Sequence, residues 1–447
     1  MSSIYFLDNY KPMICGIGDY TNFVTRESPP GRWGVISFAL NRCGVPLAHN
    51  NDTPLDRVWY GIPDRTGFSA SVVLNGVEAL DERENGDIVL WFQHEYGIWP
   101  DDQRFVTMLT CLAIPKVVTF HTLHFQSSET PSRLRKNQYD LLQLLLPQVD
   151  AITVFSNGVY RAVTTAFPEH RRKVHIIKHG IHSYPEVSRL SRKEAKEKLN
   201  DYLLYEADLD RETKEALYRH RVFLDPGTVV LGQTGFLSPE KYSGILYPVR
   251  DALQRMIPNR RIVAVRIGST REDHQRAYAE QLRSEQDGSG KFLLGTWLPE
   301  ELLPVAQRAF DVNFYWPRDC TQSGILAHAL GVGAIFAGRD LEGVGETLKE
   351  AGELADIDLS RLMIKIRDFI LNPELAECIE NSALKYAAEF SWKNQTRRHY
   401  ELAERILHPM TQWLEPSLPL VGIDGRGDSP IHRFYRSGEG SYIGIAA

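Results

Sequence analysis

The sequence predicts an α/β protein of two doubly wound domains, and three observations carry that expectation. Short apolar, β-rich runs alternate with segments long enough to be helices. The runs fall into two series, the first at 4–7, 88–92, 117–120, 151–155 and 174–177, the second at 229–234, 262–267, 292–296, 312–315 and 334–337. Finally, 447 residues are too many for one compact core, so each series is expected to build its own.

The regions follow in order. Residues 1–185 make the first expected domain and 227–399 the second. Between them, 186–226 is dense in Lys, Arg, Glu and Asp with few apolar positions, which reads as an exposed helical linker or insertion. From 400 to 447 the pattern runs through one more helix into a tail rich in Gly, Pro and Ser, expected to pack over another surface or stay mobile. A formal net charge of −6, with no basic block interleaved with aromatics, argues against a nucleic-acid partner. The apolar runs are broken by charges before a bilayer could be spanned, and Met1-Ser2-Ser3-Ile4-Tyr5 lacks the form of a signal peptide, so a cytoplasmic protein is expected. The five cysteines, Cys15, Cys43, Cys111, Cys320 and Cys378, are odd in number and lack a Cys-x-x-Cys pair, which favours reduced thiols over disulfide or zinc architecture.

In open α/β sheets ligands gather outside the carboxyl ends of the strands, so polar residues placed there are the candidates. The run 88–92 passes into Gln93-His94-Glu95-Tyr96-Gly97-Ile98-Trp99, read as a polar and aromatic loop. The first run leads to Cys15-Gly16-Ile17-Gly18-Asp19-Tyr20-Thr21, either a turn whose amides approach a phosphate or a plain surface turn; the three-glycine dinucleotide fingerprint is absent. Thr119-Phe120-His121-Thr122-Leu123-His124 sets His121 just past a strand. There it is either structural or a hydrogen-bond donor to a ligand hydroxyl or phosphate, its other ring nitrogen held by backbone. Two histidines without carboxylate or cysteine partners do not argue for a metal. In the second series, 229–237 enters a loop carrying Lys241, either a solvated lysine or an ammonium that offsets charge on a leaving group. After 312–315, Ser323 or Thr321 is placed to cap an apolar helix, and Gly324 lets an anionic group come close to its amides.

The order of these pieces resembles glycosyltransferase family 4, a GT-B sugar-transferase family, in a Ser-Gly branch without the usual paired glutamates. The likeness is spread thinly over residues 16–400. It rests on Gly16-Ile17-Gly18-Asp19-Tyr20, Gln93 to Ile98, Thr119-Phe120-His121-Thr122, His179-Gly180-Ile181, Gly235-Phe236-Leu237 with Lys241, and Ser323-Gly324 through Ala329-Leu330-Gly331. Phe390-Ser391-Trp392 with Tyr400 resembles the family's closing helix.

The resemblance implies two Rossmann-like domains facing a central cleft, with the C-terminal segment packing back toward the first. A nucleotide-sugar would bind mainly to the second domain, and a sugar, glycan, lipid-linked or small-molecule acceptor to the first. Transfer would retain anomeric configuration, without metal or other cofactor, the nucleotide-sugar being a co-substrate. On this likeness His121 and Lys241 are the catalytic residues, His121 bonding the donor sugar and Lys241 the diphosphate. Ser323 and Gly324 hold the diphosphate, approached by Gly16 and Gly18, while Asp319, Gln322 and Glu346 lie on the donor side. Trp297 and Leu298 lie beside the base, and Asp19, Gln93, His94 and Glu95 shape the acceptor side. Where family members carry two glutamates this chain has Arg318 and Leu326, so donor recognition is expected to pass to Asp319, Gln322 or backbone groups. The alternatives are a non-catalytic GT-B-like protein that binds a nucleotide-sugar or scaffolds an assembly, and a nucleotide-sugar hydrolase or epimerase. Arg133-Leu134-Arg135-Lys136 leaves peripheral contact with the inner membrane face open, a solvated helix face being the plainer reading.

Overall fold

The computed structural model describes residues 2–40, 47, 57–80, 87–239, 243–270 and 275–409. Lys241, Cys43 and the segment 410–447 lie outside the described residues.

Two parallel sheets organise the chain. The first contains β1 (Ser3–Asp8), β2 (Trp33–Phe38), β3 (Val58–Ile62), β4 (Ile88–His94), β5 (Lys116–Phe120), β6 (Ala151–Val154) and β7 (Val174–Ile176), in the order β3-β2-β1-β4-β5-β6-β7. The second contains β8 (Thr228–Thr234), β9 (Arg261–Ile267), β10 (Lys291–Leu294), β11 (Val312–Tyr315), β12 (Phe336–Arg339) and β13 (Leu354–Asp356), in the order β10-β9-β8-β11-β12-β13. Chain order reverses between β1 and β4 and between β8 and β11, the switch points outside which such sheets form a crevice. Helices cover both faces, which is why Val89, Leu90, Trp91 and Phe92 of β4 form an unbroken apolar run with no exposed surface.

The first domain carries α1 (Gly16–Arg26), α2 (Ala70–Leu80), α3 (Asp102–Cys111), α4 (Lys136–Leu145) and α5 (Asn157–Ala166). The charged stretch that follows forms α6 (Pro185–Ser188), α7 (Arg192–Tyr205) and α8 (Arg211–Arg219). Its charges mark one face only: Ala195, Leu199 and Leu203 of α7 are buried in a cluster with Val263, Val265 and Ala306 of the second domain. That domain carries α9 (Leu246–Met256), α10 (Arg276–Ser284), α11 (Leu302–Ala309), α12 (Gly324–Gly331), α13 (Glu342–Glu350), α14 (Leu359–Leu371) and α15 (Leu375–Glu389).

The closing helix α16 (Trp392–Leu407) begins earlier than residue 400 and crosses back to the first sheet. Its Trp392, Leu402 and Ala403 complete the core formed by Ile4, Phe6, Trp91 and Val117 with Tyr20 and Val24 of α1. Gly180, at the crossing between domains, permits this return, because a Cβ there would lie 2.2 Å from the Trp392 indole. Among the described residues, no helix is long and apolar enough to cross a membrane.

Candidate functional site

The strand ends of the first sheet meet the second domain around His121. Gln93 lies within β4 rather than in a loop, and period-two alternation sends its fully buried side chain to the face shared with Trp91. There its Oε1 lies 2.7 Å from His121 Nε2. With the carboxamide oxygen as acceptor, Nε2 carries the proton and Nδ1 a lone pair. The partner of His121 is therefore this side chain, not backbone, and the remaining nitrogen is an acceptor rather than the expected donor. Tyr20 of α1 and Phe155 meet the ring edge-on, at centroid distances of 5.0 Å and 5.2 Å. Burial, with smaller contributions from His179 and His94, lowers the His121 pKa to about 3 and keeps the ring neutral.

His94 points the other way. Its ring packs among Tyr96, Phe105 and Phe120, both ring nitrogens are buried without a hydrogen-bond partner, and burial lowers its pKa to about 3. Gln93 and His94 are thus a brace and a core residue instead of acceptor-facing groups. Glu95 ties the end of β4 to the next loop by accepting from the Thr122 hydroxyl and the Tyr96 amide. Its pKa is raised by burial, those two bonds opposing the shift. Asp19 stands in the first turn of α1, half-buried.

Two helix N-termini remain open. Gly324 is the first residue of α12 behind the cap Ser323, whose Oγ accepts from the Leu326 amide at 3.3 Å. Gly16 is the first residue of α1 behind Cys15. At both glycines a Cβ would meet nothing within 4 Å, so a ligand atom could approach amides made positive by the helix dipole. Gly18 has another reason to be glycine: a Cβ would lie 2.4 Å from the Asn9 carbonyl oxygen, so it lets α1 pack against the end of β1.

Between the domains, one narrow cavity is lined by His121, Phe155, Thr321 and Gln322, and a second by Lys178, His179, Gln322, Ser323 and Thr347. Thr321 Oγ1 donates to the His121 carbonyl oxygen at 3.0 Å across this boundary. Asp319 is also committed across it, accepting from His124 Nε2 at 2.8 Å and Arg135 at 2.6 Å. Burial would raise its pKa, but Arg135 and His124 outweigh that and hold it below the usual carboxylate range. Glu346 accepts from the Asn157 amide at 2.6 Å and the Gly158 amide at 2.8 Å, and so fastens the domains together where the sequence placed it on the donor side.

Trp297 stands 53% exposed after β10, with Phe236 edge-on at 5.1 Å, and forms an open aromatic face. Leu298 instead packs partly buried against the α7 cluster. Leu326 is buried, consistent with a core role at that position. Among the described residues, no group of three or more His, Cys, Asp or Glu could hold a metal ion. Sequence reasoning missed Glu342 and Lys178 and offered Thr321 only as an alternative cap of α12, a place Ser323 takes, because the partners of all three belong to elements far away in the chain.

Two doubly wound domains with a cleft at their strand ends define the GT-B fold of glycosyltransferases. Solved structures of that fold are similar over nearly the whole chain. The UDP-forming α,α-trehalose-phosphate synthase from Burkholderia vietnamiensis matches with a TM-score of 0.63 and 13% identity, covering 92% of this chain and 98% of that one. HepE from Anabaena in complex with UDP matches with a TM-score of 0.58 and 15% identity, covering 90% and 99%. The catalytic domain of starch synthase IV from Arabidopsis thaliana, bound to ADP and acarbose, matches with a TM-score of 0.60 and 13% identity, covering 91% and 99%. No protein-family model matches the sequence, and neither does any curated protein.

Proposed function

We propose that the protein is a glycosyltransferase that moves a sugar from a nucleotide-sugar to an acceptor hydroxyl, with retention and without a metal. The observation that carries this reading is a pair of interdomain cavities that share Phe155 and Gln322, one reaching the neutral imidazole of His121 and the other Ser323, the cap of the open α12 N-terminus. Similar folds accommodate UDP in HepE and ADP in starch synthase IV, which supports a nucleotide-sugar donor.

In this reaction the bond from the sugar C1 to the diphosphate oxygen breaks, the acceptor oxygen bonds to C1 on the same face, and the acceptor proton passes to the departing diphosphate. The amides of α12 spread the negative charge gathering on that diphosphate, and Lys241 is placed by its sequence position to add an ammonium. His121 contributes its Nδ1 lone pair as an acceptor for a sugar hydroxyl, aligning the donor without charging. The open face of Trp297 suits stacking of a base. Acceptor identity and a peripheral membrane location belong to the same proposal, the basic run 133–136 being partly spent internally through Arg135 and Asp319.

The test is a thermal-shift panel of UDP, ADP and GDP, followed by incubation of the stabilising donor with candidate acceptors. One nucleoside diphosphate class should stabilise the protein, by about 2.7 kcal/mol at a hundredfold excess over Kd. Lys241→Ala should remove most of the shift, and sugar should appear on the acceptor. No response to any nucleotide would favour a scaffold, and free sugar as the sole product a hydrolase.

A further inference from the structure

Helix α13 reaches from the second domain into the first, and it does so with carboxylates placed on backbone amides. Glu342 accepts from the Phe125 amide at 2.8 Å and the Gln126 amide at 3.2 Å. Glu346, one turn later on the same helical face, accepts from the amides of Asn157 and Gly158 in the first turn of α5, where the helix dipole favours an anion. The Asn157 side chain adds a bond of 3.0 Å to Glu346 and one of 3.1 Å to Glu350, and Lys178 pairs with Glu350. Glu342 is 4% exposed and has φ of +47°, a left-handed conformation that a non-glycine residue keeps only where its surroundings enforce it.

The gripped segments are those that follow β5 and β6, the first of which carries His121. On its other side α13 is pressed against the residues leading into α12: a Cβ on Gly343 would lie 2.5 Å from the Thr321 carbonyl oxygen and 2.6 Å from Gln322 Nε2. Helix α13 therefore touches both halves of the site and fixes the gap between them.

We propose that Glu342 and Glu346 are positioning residues that hold the two domains closed and set the separation between His121 and the α12 N-terminus. This goes beyond the glycosyltransferase reading and does not depend on it. Because the groups gripped are backbone amides, the hold resides in the two carboxylates and not in the side chains of Phe125 and Gln126.

The test uses the exposed cysteines of the two domains, Cys111 on α3 and Cys378 on α15, as spin-label sites. Cys15→Ser, Cys43→Ser and Cys320→Ser confine labelling to that pair. Inter-label distances are read by pulsed electron paramagnetic resonance in this parent, in Glu342→Ala/Glu346→Ala, and in Glu342→Gln and Glu346→Gln singly. The expected result is a narrow distribution in the parent and a shift to another, broader distribution in the double variant, with smaller shifts in the single ones. Asp358→Ala removes the cap of α14, away from the first domain, and should lower the melting temperature without moving the distance. A folded double variant, judged by circular dichroism, with the parent distribution would overturn the proposal. If the double variant does not fold, unchanged distributions in both Gln variants overturn it equally.

Discussion

Gln93 and His121 stand on adjacent strand ends, and the Gln93 carboxamide oxygen 2.7 Å from Nε2 fixes which nitrogen of His121 bears the proton. The geometry makes Gln93 a brace for a cleft residue without itself being in the cleft. Gln93→Leu should leave a buried N–H unpaired, costing about 1–3 kcal/mol in stability, and should free the ring to turn. Urea unfolding and a transfer assay read the two effects. Turnover should fall about tenfold or more, a barrier rise of about 1.4 kcal/mol or more, and unchanged turnover would remove Gln93 from its assigned role.

Acid should unfold this protein readily. Burial lowers the pKa of His94 and His121 to about 3, of His175, His179, His328 and His399 to about 4, and of His182 to about 2. In the unfolded chain these rings titrate near 6.5. Between about pH 6.5 and 4 the unfolded state therefore binds protons that the folded state refuses, and stability declines as pH falls, by up to about 1.4 kcal/mol per pH unit for each ring. Asp8, Glu95, Asp102, Glu342 and Glu353, whose pKa values burial raises, act in the opposite sense, but the seven histidines outnumber them. The melting temperature should drop steeply from pH 6.5 to 4.5; a flat profile would mean that these rings are not held neutral.

The Trp297 platform separates binding from folding. Trp297→Ala removes an exposed ring, so the melting temperature without ligand should change little. The shift induced by the preferred nucleotide should shrink, with Kd rising about tenfold, equivalent to about 1.4 kcal/mol. An unaltered Kd, measured by calorimetry, would place the base elsewhere.

Gly180→Ala tests the crossing of α16. The added methyl would overlap the Trp392 ring, so stability should fall by about 1–3 kcal/mol as the helix is displaced. Chemical denaturation checks this, and a neutral change would show that the ring has room to yield.

The runs rich in β-branched and aromatic residues disclosed ten strands because parallel strands buried on both faces are apolar throughout. Strand β3, Val58–Ile62, was hidden because four of its five residues are only half-buried, and β13, Leu354–Asp356, is three residues long. Strand β2, Trp33–Phe38, directly after Pro29-Pro30-Gly31, is absent from the expected runs although five of its six residues are buried. The ends of strands were harder to read than their middles. Gln93 and His94 have polar side chains, so they looked like loop residues, although alternation sends one to His121 and the other into the core. Local signals did disclose Ser323 and Gly324, since a cap and the residue behind it are neighbours in sequence. Glu342 and Glu346 grip amides near residues 125 and 157, and nothing in a local pattern encodes so distant a partner.

The return of α16 has a consequence for the order in which this molecule can be made. The Tyr20 hydroxyl bonds His399 across 379 residues, and Trp392, Leu402 and Ala403 close the apolar face laid down by Ile4 and Phe6. A ribosome delivers those first strands long before the helix that covers them. The first domain cannot finish its interior, and keeps one face bare, until the chain has passed residue 403.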